Sequence, residues 1–524
     1  MTYFSQLETI ADTITFHAAR IPDHTAVICQ DDSVTYRELD LSSNRTANGI
    51  ASLNLQPGAR VAYLGKESIF YYDILFACAK SGTVLVPINW RLSAGEVDHI
   101  LRDSGTALLF VDQEFLSSVN QLRHYLPDLK QIVVVDEGEG LKGGFNAWQS
   151  AFSDQEQVLQ ISAETPIAQL YTSGTTGLPK GVVLPHRSFF KIRKELAEHG
   201  LKWIDWHQDD VSLIGIPGFH VGGLWWAMQG FNAGITNVTL KAFVAHDAVQ
   251  IIEQLGVSIA CVVPAMIQMM LNDRSVDKRS FSRLRKLVYG GSPISESLLE
   301  QGLRTMQCDF AQIYGLTETG NTAVCLPPEA HQVGSPRMLA AGRPYPGVVL
   351  KIVDKNGVSL PAAKVGEVCI RTPAHMLEYW RNPAATQETL IDGWVYTGDA
   401  GYLDEEGYLY ICDRIKDVVI VAGENVYPAE IENVLCKHPA VLDVAVIGVP
   451  DERWGEALQA FIALREGQSV KARELLLFLK GKIADYKIPG RYEFVESIAR
   501  NPSGKILRRE LRDKYWTHLQ RKVN

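Results

Sequence analysis

Residues 171–181 read YTSGTTGLPKG, a polar, glycine-rich run that closes on a lysine and a glycine. Glycines let backbone N–H groups approach phosphate oxygens closely, Thr and Ser hydroxyls add donors, and a lysine adds charge. The nucleotide loop G-x-x-x-x-G-K-[ST] opens directly into a helix. Counting from Gly174, Pro179 precedes Lys180, and Gly181 stands where a hydroxyl residue should follow. The run is therefore not that loop. Alone it also reads as a structural turn between strands, so the surrounding chain has to decide.

A chain of 524 residues is too long for one ordinary domain and can bury several cores. Its 46% hydrophobic and 21% charged content is that of a soluble globular protein. A net charge of −9 argues against general nucleic-acid binding, which needs basic surface. The opening MTYFSQLETIADTITFHAAR has no basic stretch followed by an apolar core, so no secretory signal is expected. Within it, Phe4, Leu7, Ala11, Ile14 and Ala18 follow a helical period. The best apolar stretch, VSIACVVPAMIQMM, is shorter than the roughly 18 residues of a membrane span and carries a proline. The eight cysteines form no C-x-x-C pair, which suits reduced thiols and a cytoplasmic location.

Short apolar runs (RVAYLG, TVLVPIN, ALLFVD, QIVVVD, PIAQLYT) alternate with helical segments such as SIFYYDILFACAKSG. That alternation predicts parallel sheets covered by helices. Around KIVDKNGV, GEVCIR and EEGYLYICDR, short strands with turn signals predict a small antiparallel sheet or barrel. Past the charged junction DRIKD a new unit begins, with strands VAVIGVP and LQAFIALRE and helices PAEIENVLCKHP and KARELLLFLKGKIADY. The expected division is residues 1–413 and residues 414–524, with a hinge near Lys416.

Five further stretches carry unusual residue choices. They are GFHVGG (218–223), YGGSP (289–293), YGLTETG (314–320), WVYTGD (394–399) and NPSGK (501–505). Singly, His220 also reads as a core histidine, Asp399 as a turn residue or helix cap, and Lys505 as a solvated charge.

In this order and spacing the motifs resemble the adenylate-forming superfamily of acyl-CoA synthetases, luciferases and peptide-synthetase adenylation domains. The resemblance runs from TYRELD through NWRLSAGEVDHILRDSG to NPSGKILRR and is closest to bacterial fatty-acyl-CoA ligases. It implies an α/β fold: a large N-terminal AMP-binding domain of two α/β subdomains plus a small β-barrel, then a mobile α+β lid. It also implies that YTSGTTGLPKG guides the β- and γ-phosphates of ATP through Thr172, Ser173, Gly174, Thr175, Thr176, Gly177 and Lys180.

The implied chemistry is attack by a carboxylate on the α-phosphorus of ATP, followed by transfer of the acyl group from AMP to a thiol. The nucleophile is already an anion, so the difficulty is charge against charge, which cations and oriented donors relieve. The resemblance gives Glu318, with Thr172 as a second ligand, to Mg²⁺, and oxygen ligands suit that hard ion. Lys505 would bridge α-phosphate and carboxylate, and Thr317 would bond the α-phosphate. Asp399 and Arg414 would hold the ribose, while Tyr314 and the Gly291-Ser292-Pro293 backbone line the adenine slot. For thiol transfer the lid turns about Lys416, bringing Gly423 to the pantetheine path, where a missing side chain leaves room. Many relatives have two glycines where this chain has Ala422-Gly423. Arg91, Trp454 and Tyr486 match positions that contact coenzyme A in some relatives; Ile488 and Gly490 lack basic groups that some relatives use.

The implied acyl pocket comprises His220, Val221, Gly222, Trp225, Trp226, Gly290, Gly315 and Leu316, an apolar set suited to a fatty or aryl acid. Core packing is the alternative for both tryptophans. No acid lies between Phe219 and Phe231, which argues against amino-acid activation. The expected activity is an acid–thiol ligase using ATP, Mg²⁺ and coenzyme A, in a monomer or homodimer. An acyl-AMP ligase loading a carrier protein, or an amide-bond synthetase, would share the first half-reaction; GENVYP and the lack of a carrier segment after Asn524 favour coenzyme A as acceptor. A luciferase-like oxidase shares the fold, and a non-enzymatic acyl-nucleotide sensor would be expected to lose Lys505, Glu318 or Asp399. The run KILRRELRDKYWTHLQRK reads as a solvated helix face, with peripheral membrane contact as the alternative.

Overall fold

A computed structural model describes residues 2–135, 144–157, 159–172, 179–277, 279–292, 294–421, 424–451, 455–500 and 504–516. The apolar runs form two α/β sheets. One has seven strands, in the order Glu378–Tyr379, Lys180–Pro185, Pro166–Thr172, Val84–Ile88, Arg60–Leu64, Thr106–Val111, Gln131–Val134. Its strands from Pro166–Thr172 to Gln131–Val134 run parallel. The other has nine strands, five of which bear on the site: Asp309–Tyr314, Lys286–Gly290, Ile259–Val262, Val211–Ile214 and Thr236–Thr239, all parallel. Helices buried along nearly their whole length, such as Ile69–Ser81 and Val221–Ala233, lie in the core shared by the two sheets. Such helices have almost no solvent-facing side, which explains their largely apolar sequences; the polar exceptions Asp73, Lys80, Gln229 and Asn232 are buried too.

Strands Val349–Val353, Gly366–Arg371, Trp394–Leu403, Leu390–Ile391 and Leu409–Arg414 make a separate antiparallel sheet. After the short 3-10 turn Ile415–Asp417, strand Val419–Val421 enters a further five-stranded sheet with Glu424–Val426, Gly455–Leu464, Val441–Asp451 and Arg491–Val495. That sheet has its own apolar clusters on its two faces. Among the described residues no helix is long and apolar enough to cross a membrane.

Two local readings differ from the structure. The first helix runs over Ile10–Arg20 rather than from Phe4, because Thr9 and Asp12 form a reciprocal cap at 3.1 and 3.0 Å. Phe4 instead turns back, its ring 5.0 Å from Phe16. The segment KARELLLFLKGKIADY is helical only over Ala472–Leu479; Gly481, at φ +77°, turns the chain so that Ile483 reaches the lid core.

Candidate active site

The glycine-rich run joins two antiparallel strands, with Thr172 opposite Lys180 in the ladder. It is a hairpin, not a strand-to-helix turn. Ser173, Gly174, Thr175, Thr176 and Gly177 lie outside the described residues, as do Pro293, Gly423 and Trp454. The Lys180 ammonium sits 5.3 Å from the centre of the Tyr379 ring. Tyr379 donates its hydroxyl to Glu318 Oε1 at 2.6 Å, and the Met376 N–H donates to the Glu318 carbonyl at 2.9 Å. Glu318 is buried on the 3-10 turn Thr317–Thr319, beyond the end of strand Asp309–Tyr314.

Asp399 and Arg414 face each other across the small antiparallel sheet. Arg414 Nε lies 2.8 Å from Asp399 Oδ1, and the Tyr314 hydroxyl donates to Oδ2 at 2.7 Å. Thr397 steadies both partners: its Oγ1 accepts the Asp399 N–H at 3.1 Å and its carbonyl accepts Arg414 Nη1 at 3.0 Å. An ionised carboxylate has about four acceptor positions, so Asp399 keeps capacity for two further hydroxyls. Gly291, at φ +84°, turns the chain beyond strand Lys286–Gly290 so that Ser292 follows.

The lid closes over this group. A Cβ on Gly504 would lie 3.4 Å from Ser292 Oγ and 3.6 Å from Val263. Lys505 comes next, and its ammonium feels Arg414, Asp399, Glu318 and Lys416. Burial first, then the Arg414 charge, push it below the ordinary lysine value. Arg500 links Gly504 to the lid sheet, donating to the Gly504 carbonyl at 2.7 Å and to both Asp443 oxygens at 2.8 and 3.1 Å. Across the two domains, Lys437 pairs with Glu296 at 2.7 Å.

His220 opens the helix Val221–Ala233 beyond strand Val211–Ile214. Its Nε2 is buried without a partner among the described residues, as is Nδ2 of Asn321. Burial first, then the charges of Lys505 and Arg91, lower the ring to about 4, so it is neutral at ordinary pH. Two glycines here let backbone segments pack closely, and a third has ordinary room around it. A Cβ on Gly290 would lie 2.5 Å from the Ile313 carbonyl, and one on Gly315 would lie 2.0 Å from the Asn321 carbonyl. At Gly222 the nearest atoms are 3.4 Å (Ile216) and 3.7 Å (Asn321) from the added carbon. Val221 and Leu316 are half-buried. Trp226 is committed elsewhere, donating to the Leu213 carbonyl at 3.1 Å with its ring 4.7 Å from Trp206. Trp225 is buried in the same core, 6.3 Å from Trp226.

Arg91 stacks over Trp90 at 4.1 Å, close enough for its charge to reach His220. Tyr486 is exposed on the lid, and Lys416 is exposed on the turn between the two domains. Sequence reasoning missed Tyr379, Asn321 and Thr397. Asn321 adjoins YGLTETG and Thr397 lies within WVYTGD, but Tyr379 stands in a two-residue strand with no motif around it.

Among the described residues no three His, Cys, Asp or Glu side chains cluster for a metal. A divalent ion held at Glu318 would be one that accepts phosphate and water oxygens beside a carboxylate. Mg²⁺ suits that, since it binds through one or two carboxylates plus substrate phosphates, and Glu318 offers one.

Residues 14–380 match the family model described as AMP-binding enzyme, and residues 430–505 match its C-terminal domain. The chain belongs to the AMP-binding, adenylate-forming enzyme family. Within that family it is 58% identical over 520 residues, 99% of each chain, to the fatty acid–[acyl-carrier-protein] ligase ScoC of Streptomyces coeruleorubidus. It is 34% identical to the long-chain-fatty-acid–CoA ligase FadD13 of Mycobacterium tuberculosis, covering 93% of this chain and 94% of that one. Among solved structures of the family it resembles the anthranilate CoA ligase AuaEII in complex with anthranoyl-AMP, with a TM-score of 0.89, 27% identity and 98% of each chain covered.

Proposed function

We propose that this enzyme activates a fatty acid with ATP and passes the acyl group to the phosphopantetheine thiol of a carrier protein. The observation that carries the acceptor is the 58% identity, over nearly all of both chains, to a fatty acid–carrier-protein ligase. This reverses the order expected from sequence, where coenzyme A led and the carrier protein was the alternative. Coenzyme A is the second reading, supported by the 34% identity to acyl-CoA ligases.

In this reading Asp399 and Arg414 fix the ribose, Tyr314 stacks on adenine, and Lys180 with the hairpin tip receives the terminal phosphates. Bound Mg²⁺ would neutralise phosphate oxygens from Glu318. Lys505 bridges the α-phosphate and the acid carboxylate, cancelling repulsion as the new P–O bond forms and pyrophosphate leaves. Its position among Arg414, Asp399 and Glu318 supports a lid set for this first step. The lid then turns near Lys416, withdrawing Lys505 and bringing the segment around Gly423 to the thiol path. The neutral His220, with Gly222, Gly290 and Gly315, lines the acyl side.

The test is acid-dependent ATP–pyrophosphate exchange over short to long fatty acids and aryl acids, then acyl transfer to coenzyme A and to a phosphopantetheinylated carrier protein in parallel. Exchange with a fatty acid and faster transfer to the carrier are expected. Formation of ADP sinks the adenylation reading, and faster transfer to coenzyme A restores the second reading.

A further inference from the structure

Glu67 is buried, yet it belongs to none of the motifs above. It follows strand Arg60–Leu64 of the seven-stranded sheet and reaches the loop beyond strand Val211–Ile214 of the nine-stranded one. Its Oε1 accepts the Gly218 N–H at 2.6 Å, and its Oε2 accepts the hydroxyls of Tyr72 at 3.1 Å and Thr239 at 3.4 Å. The other face of the same residue is held as well, because the Tyr71 hydroxyl donates to the Gly218 carbonyl at 2.9 Å. Only glycine fits between them: a Cβ at 218 would lie 2.5 Å from Tyr71 Oη.

Two residues on stands His220. Its N–H donates to the Pro217 carbonyl at 3.0 Å, and its carbonyl accepts the N–H groups of Gly223 and Leu224 at 3.0 and 3.1 Å. Displacement at Gly218 therefore passes straight into His220 and the first turn of the helix that carries Val221 and Gly222. A buried carboxyl is an expensive packing element when apolar groups could fill the same volume. Its placement makes sense if the position of this one peptide matters.

We infer that Glu67 is a positioning residue for acid binding: with Tyr71 it clamps the Gly218 peptide between the two subdomains and so sets His220 and Gly222 against the acyl group. The inference rests on the proposed adenylation of an acid. Burial pushes the Glu67 carboxyl up to about 7, so glutamine, neutral and able to accept from Gly218, is the fitting conservative replacement.

The experiment compares wild type, Glu67→Ala, Glu67→Gln and Tyr72→Phe by acid-dependent pyrophosphate exchange, and by hydrogen exchange of the backbone over residues 215–223 without substrate. Wild type is assayed first, and absence of exchange with every acid defeats the functional reading rather than this one. With an active wild type, Glu67→Ala is expected to raise the KM for the acid about tenfold while the KM for ATP stays within about twofold. Faster backbone exchange confined to 215–223 should accompany it. Glu67→Gln should restore both, and Tyr72→Phe, which leaves the Gly218 bond in place, should leave the acid KM near wild type. An unchanged acid KM in Glu67→Ala, equal rises for acid and ATP, or failure of glutamine to rescue overturns the inference. If Glu67→Ala does not fold, Tyr71→Phe frees the Gly218 carbonyl alone and carries the same test, with an unchanged acid KM again overturning it.

Discussion

Asp399 has both oxygens engaged, by Arg414 at 2.8 Å and Tyr314 at 2.7 Å, whereas His220 Nε2 and Asn321 Nδ2 are buried with no partner among the described residues. The nucleotide side of the cleft is thus built from charges that hold one another in place. The side proposed for the acyl group combines glycines, apolar side chains and polar atoms without partners among the described residues. If the proposed function holds, the difference teaches that the two substrates are recognised by different physics. A nucleotide is met by preorganised charge, which works best when nothing has to move. An apolar acid, on the proposed function, would be met mainly by the shape of the wall around Val221 and Gly222.

The sharpest way to break this comparison is at Lys505, where the two sides meet. Lys505→Ala should slow pyrophosphate exchange by about 10²–10³, by analogy with loss of one preorganised donor. Conversion of a supplied acyl-adenylate and acceptor to thioester should survive. Equal damage to both half-reactions would mean that one fixed site serves both steps.

The acyl side is sharpened by adding volume. Gly222 has room for a side chain, so Gly222→Leu should shift the preferred acid to shorter chains. With each methylene worth about 0.8 kcal/mol, or about fourfold, the longest acids lose most. The KM for ATP is expected to hold. Trp226→Ala should act in the opposite register: about 3–5 kcal/mol of stability lost with the chain-length profile kept, because its ring is tied to Leu213 and Trp206. A changed profile in Trp226→Ala and an unchanged one in Gly222→Leu would exchange their roles.

The smallest expected effect is the pH response of His220. The ring is neutral in the fold above about 4, while in the unfolded chain it takes a proton below about 6.5. Its share of stability is therefore complete above 6.5 and is lost as pH falls from there towards 4. Between pH 7 and 5, His220→Gln should lose less melting temperature than wild type, by an amount on the order of a degree. Adenylation should show no limb near 6.5 that disappears in the variant. Identical melting profiles would place the ring in contact with water.

Strand and motif positions could be read before the structure because each is a local signal. RVAYLG became Arg60–Leu64 and TVLVPIN became Val84–Ile88, since an apolar run between turn residues has few other uses. Boundaries failed where a side chain far from the periodic run decided them, as Thr9 and Asp12 did at the first helix. Of the site, the residues on glycine-rich turns were visible. Tyr379 and Glu67 were not: each meets its partner through tertiary contact, Tyr379 with Glu318 and Glu67 with Gly218, separated by 61 and 151 positions. Trp226 shows the converse: beside a motif an aromatic reads equally as pocket or as core, and its indole bond to a strand carbonyl is not visible in the sequence.

Arg500 grips both the Gly504 carbonyl and Asp443 on the lid sheet. On the proposed function Lys505, next to Gly504, would therefore travel with the lid rather than move in and out of the cleft by itself. In the proposed cycle this gives the reaction a direction. The cation that would help pyrophosphate attack the acyl-adenylate in reverse is carried away by the same movement that admits the thiol, so the intermediate meets its second nucleophile only after the route back has lost its catalyst.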